Sequence, residues 1–173
     1  MQYQPQTFIG KNGTLYTLRS PQAQDASKLL SYLKQSAHET EYGISYPEDF
    51  IRKFVQDKTC IMISVFEGDT LVGNASLFAV LDKKKTRHRA TFGIAILKTA
   101  WGQGLGYQIL SALIEFAANA GYEQIELEVA SDNLPAISLY RKLGFTVYGE
   151  RPRSFKLNSG KYSDELLMIL KLR

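Results

Sequence analysis

The sequence predicts an α/β domain built on a mixed sheet, and three observations carry that reading. Strand-like and helix-like stretches alternate from residue 13 to the end of the chain. Two apolar runs flank Gly68-Asp69 in the manner of a hairpin, and a third apolar run feeds a glycine-rich turn that opens a long helical stripe.

Residues 13–19 read as a first strand. Ser20-Pro21 then suits a helix start, with Pro at the first helical position and Ala26, Leu29, Leu30, Leu33 and Ala37 recurring along one face. Ser45 and Glu48 have the spacing of a capping box for a short second helix, whose buried face would hold Phe50, Ile51, Phe54 and Val55. Residues 60–66 and 70–80 form the expected hairpin. A polar run, 82–89, precedes a strand over 90–97. After the turn at 102–106, Leu105, Ile109, Leu113, Phe116 and Ala120 share a helical face that ends at Gly121, a C-cap residue. Residues 123–130 alternate, with Ile125, Leu127 and Val129 on one face and Glu126 and Glu128 on the other. A helix with Ala136, Leu139, Tyr140 and Leu143 runs to Gly144, and strands over 145–150 and 162–170 close the chain.

Composition narrows the class. The 173 residues predict one domain, 1–173, and 45% apolar with 12% aromatic content supplies a sizeable core. Against 17 Asp and Glu stand 21 Lys and Arg, a net charge of +4 that suits an anionic ligand and argues little for nucleic acid. Cys60 is the sole cysteine, which excludes an internal disulfide and a Cys-rich zinc site. His38 and His88 are too isolated to suggest a metal. The first residues lack a signal-peptide pattern, and no apolar run approaches the ~20 residues that span a bilayer. The expectation is therefore a cytoplasmic protein without metal, and the sequons at Asn12 and Asn74 carry little weight.

The stretch 101–106, Trp-Gly-Gln-Gly-Leu-Gly, is the most informative. A strand-to-helix corner offers free backbone N–H groups and the positive end of a helix dipole, both favourable to an anion. Two nucleotide motifs fail on spacing. The dinucleotide fingerprint needs glycine three residues after its second, but position 107 is Tyr, and the P-loop's Gly-Lys-Ser/Thr is absent. Alone, the turn is equally a tight corner.

Read with residues 131–145, SDNLPAISLYRKLGF, the turn resembles that of the GNAT superfamily of N-acetyltransferases. The shared positions are Gly104 and Gly106, then Asn133, Ala136, Tyr140, Gly144 and Phe145. Trp101 departs from the pattern, because Gln or Arg is usual there. The resemblance implies a GNAT-like mixed, mostly antiparallel central sheet flanked by helices. It also implies transfer of an acetyl group from acetyl-CoA directly to a primary amine of a small molecule or a peptide N-terminus.

It assigns roles residue by residue. Gly102, Gln103, Gly104, Leu105 and Gly106 would hold the pyrophosphate, and Ile94, Ala95 and Ile96 would lie beside the pantetheine arm, with one backbone N–H as oxyanion donor. Asn133 would bond the pantetheine amides, or serve as a helix N-cap, or both. Lys142, and Arg141 beside it, would meet the adenosine phosphate. Tyr140 would be the general acid for the departing thiolate, its ordinary pKa of ~10 keeping it protonated at working pH; as a plain core residue it would do neither. Glu128 matches the base of the ribosomal-protein alanine N-acetyltransferases, a branch of the superfamily, with Glu126 or solvent as alternatives.

The acceptor pocket would draw on residues 38–42, Glu48, Asp49 and 159–164, whose acidic and aromatic groups suit a cationic amine. The resemblance leaves the amine unidentified. The partners expected are this acceptor, no nucleic acid and no membrane, with a homodimer left open. Two other classes compete: a non-catalytic acyl-CoA-binding sensor or regulatory domain, and a basic RNA module resting on the run 83–89.

Overall fold

Backbone pairing starts earlier than the apolar pattern does. In the computed structural model, β1 (Gln6–Ile9) pairs antiparallel with β2 (Leu15–Arg19), so the strand expected at 13–19 is the second arm of a hairpin. Three of the four β1 residues are exposed, which is why no buried face marks them in the sequence. The structure describes residues 3–39, 61–80, 83–157 and 159–173; the capped helix expected from Ser45 and the residue Cys60 lie outside them.

β3 (Ile61–Glu67) and β4 (Thr70–Ala79) form the expected hairpin, with Gly68 at φ +54° in its tip. β5 (Arg89–Ile96), β6 (Gln124–Ala130), β7 (Thr146–Lys156) and β8 (Tyr162–Lys171) complete a sheet of order β1-β2-β3-β4-β5-β6-β8-β7. β5 and β6 run parallel, whereas β1–β2, β2–β3, β3–β4, β6–β8 and β7–β8 are antiparallel. Among the described residues the helices are α1 (Ala26–Glu39), α2 (Leu105–Asn119) and α3 (Leu134–Lys142). The mixed, mostly antiparallel sheet with flanking helices is the expected fold class.

Two boundaries differ from expectation. α1 begins at Ala26 rather than at Pro21, after a 3-10 turn over Ala23–Asp25. The buried Asp25 carboxylate explains the delay: it accepts the Gln22 N–H at 2.8 Å and both arms of the Arg19 guanidinium at 2.6 and 3.0 Å, pinning the turn. The same guanidinium holds the Asp25 carboxyl below its usual range. β7 runs on to Lys156, because a bulge between Arg151 and Phe155 lets the strand resume its pairing with β8. Arg153 in that bulge is at φ +53°, its N–H bonded to Asp164 Oδ1 at 2.7 Å.

The chain divides into two compact units. The first, Met1–Phe78 with Gly93–Leu113, has a core of Leu29, Tyr32, Met62, Phe66, Leu71 and Leu97. Arg19 lies 3.8 Å over the Phe66 ring, and a buried polar chain runs from Ser64 Oγ to Asn74 Oδ1 (2.8 Å) and from Asn74 Nδ2 to Ser76 Oγ (3.0 Å). The second unit, Ala79–Phe92 with Ile114–Arg173, buries Ile125, Leu127 and Val129, the face that the alternation of β6 predicts. Phe92, Tyr140 and Phe145 meet edge to face with centroids 5.8–6.0 Å apart, contacts worth about 0.5–1.5 kcal/mol each beyond simple burial.

Candidate active site

In the first unit, β5 ends at Ile96, a 3-10 turn covers Lys98–Ala100, and α2 starts at Leu105. Gly102 (φ +78°) and Gly104 (φ +86°) take the left-handed backbone that L residues avoid. An added Cβ at either would meet nothing within 4 Å, so conformation rather than crowding within the chain demands glycine. Gly106 lies inside the first turn of α2.

Among the described residues, none accepts a hydrogen bond from the backbone N–H groups of 102–106, while the Gly104 carbonyl takes Tyr107 N (3.1 Å) and Gln108 N (3.2 Å). These N–H groups at a helix N-terminus fit a phosphate oxygen chemically. Leu105 is buried and offers backbone only. The Gln103 side chain is used internally: Oε1 accepts Asn12 N at 2.9 Å and Nε2 donates to the Trp101 carbonyl at 3.2 Å. Trp101 turns its Nε1–H back onto the Ile96 carbonyl at 2.7 Å, which explains how an aromatic residue is accommodated where Gln or Arg is usual.

Ile94, Ala95 and Ile96 lie on β5 in the same unit. Leu97 N donates to the Val72 carbonyl at 2.9 Å, so residues of its parity face β4. Ala95 therefore presents its backbone to β4, and Ile94 and Ile96 present theirs to the opposite edge. On that edge the pairing with β6 covers Arg89, Ala90 and Thr91.

The second unit carries the titratable candidates. The Tyr140 ring is buried against Phe92 and Phe145, and burial pushes its hydroxyl up to about 12. The hydroxyl has no partner among the described residues, yet none of their fully buried polar atoms is unsatisfied. Such a group is a neutral proton donor over the whole ordinary pH range.

The two glutamates of β6 differ sharply. Glu126 is 13% exposed and takes a forked pair from Arg89, Nε to Oε1 and Nη2 to Oε2, both at 2.6 Å, plus Gln124 Nε2 at 2.6 Å. These donors hold its carboxyl below the usual range. Glu128 is 58% exposed and meets a single, longer bond, from Arg151 Nη2 at 3.3 Å. Arg151 is itself fastened by its other arm to the buried Glu165, which also accepts Ser154 Oγ at 2.9 Å. This Arg151–Glu165 anchor was not legible in the sequence.

Asn133 caps α3, its Oδ1 accepting Ala136 N at 3.4 Å, so the N-cap alternative is realised, and its amide Nδ2 has no partner among the described residues. Lys142 lies exposed in the last turn of α3 beside Arg141. Of the acceptor residues, His38 and Glu39 end α1, where Glu39 Oε2 takes Lys98 N at 2.6 Å; residues 40–42, Glu48 and Asp49 lie outside the described segments. No group of metal ligands occurs among the described residues. No helix among them is long and apolar enough to cross a membrane.

The glycine turn after β5, the capped helix α3 and this order of strands can be set beside known proteins. The chain belongs to the acetyltransferase (GNAT) family, whose model matches residues 26–145. It is 31% identical over 108 residues to an L-amino acid N-acetyltransferase of Escherichia coli, a match covering 62% of this chain and 65% of that enzyme's length. A GNAT-family acetyltransferase structure from Streptococcus pneumoniae superposes with a TM-score of 0.81 at 28% identity, over 90% of this chain and 99% of that one. The Salmonella typhimurium protein yncA, solved with its cofactor acetyl-CoA, shares the fold at a TM-score of 0.80 and 21% identity, over 91% and 94% of the two chains.

Proposed function

We propose that this chain is an N-acetyltransferase, its two units working as one domain, which moves the acetyl group of acetyl-CoA directly to a primary amine. The observation that carries the reading is the row of N–H groups at 102–106 that find no acceptor among the described residues, in a chain of this family. They would take the pyrophosphate, with Lys142 near the adenosine phosphate. Backbone groups of the Ile94–Ile96 segment would pair with the pantetheine arm, and Asn133 Nδ2 would add a donor while Oδ1 keeps its cap.

In the transfer, the amine nitrogen forms a bond to the thioester carbon and the carbon–sulfur bond breaks. A strand N–H stabilises charge on the carbonyl oxygen. Glu128, directly or through water, takes the proton the amine loses, and Tyr140 gives its proton to the departing thiolate. Support for Glu128 over Glu126 comes from their partners: the forked Arg89 makes Glu126 a weak base, whereas Glu128 has one long bond to give up. No covalent enzyme intermediate and no metal enter the step. The related E. coli enzyme is named for L-amino acids, which makes these the first acceptors to try.

The reaction needs neither nucleic acid, membrane nor a second copy of the chain, and its setting in this reading is the cytoplasm. No observation favours a non-catalytic acyl-CoA sensor. A panel of L-amino acids, polyamines and peptide N-termini with acetyl-CoA, read by thiol release, tests the proposal. At least one amine should raise thiol release well above hydrolysis. CoA binding without turnover on any of them would support the sensor instead.

A further inference from the structure

Glu128 and Arg151 stand side by side on one face of the second unit's strands. Arg151 is the Cα partner of Glu165, Glu165 is also the partner of Ala130, and Glu128 precedes Ala130 by two residues on the same face of β6. Their contact is the 3.3 Å bond from Arg151 Nη2 to Glu128 Oε1, with both side chains half in water.

The other arm of the guanidinium is held far more firmly. Nη1 bonds Glu165, whose side chain is 5% exposed and also accepts Ser154 Oγ at 2.9 Å. The bulge of β7 makes this possible. Pro152, Arg153 and Ser154 have only Asp164 opposite them, so the strand bends and Ser154 reaches the same carboxylate as Arg151. The left-handed φ of +53° at Arg153, whose N–H is tied to Asp164 Oδ1, belongs to this bend. Such strain in a non-glycine residue persists only where the surroundings enforce it. Arg151 is thus fixed from behind by a buried anion and occupied in front by a bond that exchanges easily.

An exposed carboxylate beside an anchored guanidinium is complementary to a zwitterion. In a free α-amino acid the nitrogen and the nearer carboxylate oxygen lie about 3 Å apart by ordinary backbone geometry, the same step that separates Arg151 from Glu128. The exchange of partners conserves charge: the ammonium takes Glu128, and the carboxylate takes the Nη2 that Glu128 gives up. Glu165 keeps the guanidinium in place throughout. We infer that Arg151, anchored by Glu165, is the specificity-determining residue that binds the acceptor's carboxylate, so that the acceptor class is the free α-amino acid. Its role as acceptor rests on the transferase reading with Glu128 as the base; the pairing itself rests on β6, β7 and β8. A polyamine has no anion to offer Arg151, and a peptide N-terminus presents a neutral carbonyl there, a much weaker partner than a carboxylate.

The probes are matched pairs: L-leucine, L-methionine and L-phenylalanine, each against its amide, which keeps the amine and side chain and lacks the carboxylate. The amide's amine is the less basic and more often free, a bias against the expected result. Arg151→Lys keeps a charge against Glu165 and loses the fork. Arg151→Gln combined with Glu165→Gln removes the subsite without stranding a buried charge. In the wild type, kcat/KM for at least one acid should exceed that for its amide about 10–10²-fold, the span of a hydrogen bond between charged groups. That ratio should fall about tenfold or more in both folded variants, chiefly through KM. A merely structural role would lower acid and amide alike and leave the ratio unchanged. Calorimetry of the same pairs with CoA present should show the same preference without turnover. Equal treatment of acid and amide by the wild type, a polyamine or peptide preferred over every amino acid, or a ratio unchanged in both folded variants overturns the inference. Should the wild type turn over no amine, the transferase reading fails by itself, and the calorimetric preference with its dependence on Arg151 still decides this one.

Discussion

Arg89 grips Glu126 with a two-pronged hydrogen bond, 2.6 Å on each oxygen, from a residue 37 positions away. The fork keeps Glu126 ionised below its ordinary pKa of 4.5. A carboxyl depressed in the folded state adds stability that is whole above that ordinary value and disappears as the pH falls through the folded value. Glu126→Gln should therefore lower Tm at neutral pH and flatten its acid-side decline below about pH 5, as thermal melts across pH 2–7 would reveal. Neutral-pH turnover should stay close to wild type. A collapse of turnover in a folded Glu126→Gln protein would move the base role to Glu126.

Glu128→Gln should behave in the opposite way. Its side chain is largely in water and its bond to Arg151 is long, so stability should change by no more than about 1 kcal/mol. Turnover should fall ~10²–10⁴-fold at neutral pH with CoA binding kept, and rise again at higher pH as more free amine is present. Steady-state rates from pH 6 to 10 check this; a flat ratio of mutant to wild type across that range removes Glu128 from proton transfer.

Tyr140→Phe separates chemistry from packing. The ring contacts with Phe92 and Phe145 survive, so Tm should hold within a few degrees. Turnover should drop ~10²–10⁴-fold while calorimetric CoA affinity changes little. Since burial carries the phenol up to about 12, any decline of the wild-type rate between pH 8 and 10 must come from a group other than Tyr140. Near-normal turnover by Tyr140→Phe would leave the tyrosine as core alone.

Gly104→Val tests the cradle. At φ +86° a branched residue is strained even where space is open, so the turn must shift and its N–H groups lose their common direction. CoA affinity should weaken at least tenfold, about 1.4 kcal/mol, in a protein that still melts cooperatively. Gly106→Ala is the contrast: it lies in regular helix and should keep or slightly raise stability. Equal CoA affinity in wild type and folded Gly104→Val would exclude the turn as the phosphate site.

Local chemistry was legible in the sequence and distant pairing was not. The alternation of Ile125, Leu127 and Val129 named the buried face of β6 because period-two patterning is written in adjacent residues. Gly68, Gly104, Gly121 and Gly144 marked turns correctly, each now at positive φ. The start of α1 was misplaced because Asp25 answers to Arg19 and Gln22 through three-dimensional bonds that a Pro-based start signal ignores. The difference between Glu126 and Glu128 has no local signature at all; it lies in Arg89 and Arg151, brought in from other strands. Asn133 was readable as cap or ligand, and its geometry leaves one side-chain atom for each. Trp101 stood out as a departure, yet its partner, Ile96, emerges only once the turn is folded back on the strand.

That indole has an optical consequence. Trp101 is the only tryptophan in 173 residues, half-exposed, anchored through Nε1, and with Lys98 Nζ 5.9 Å from its ring. All the tryptophan emission of this protein therefore originates at the rim of the glycine turn. Its wavelength and quenching report on what enters there, so under the proposed function acyl-CoA ligands should shift this emission, with no label, coupled enzyme or acceptor in the cuvette.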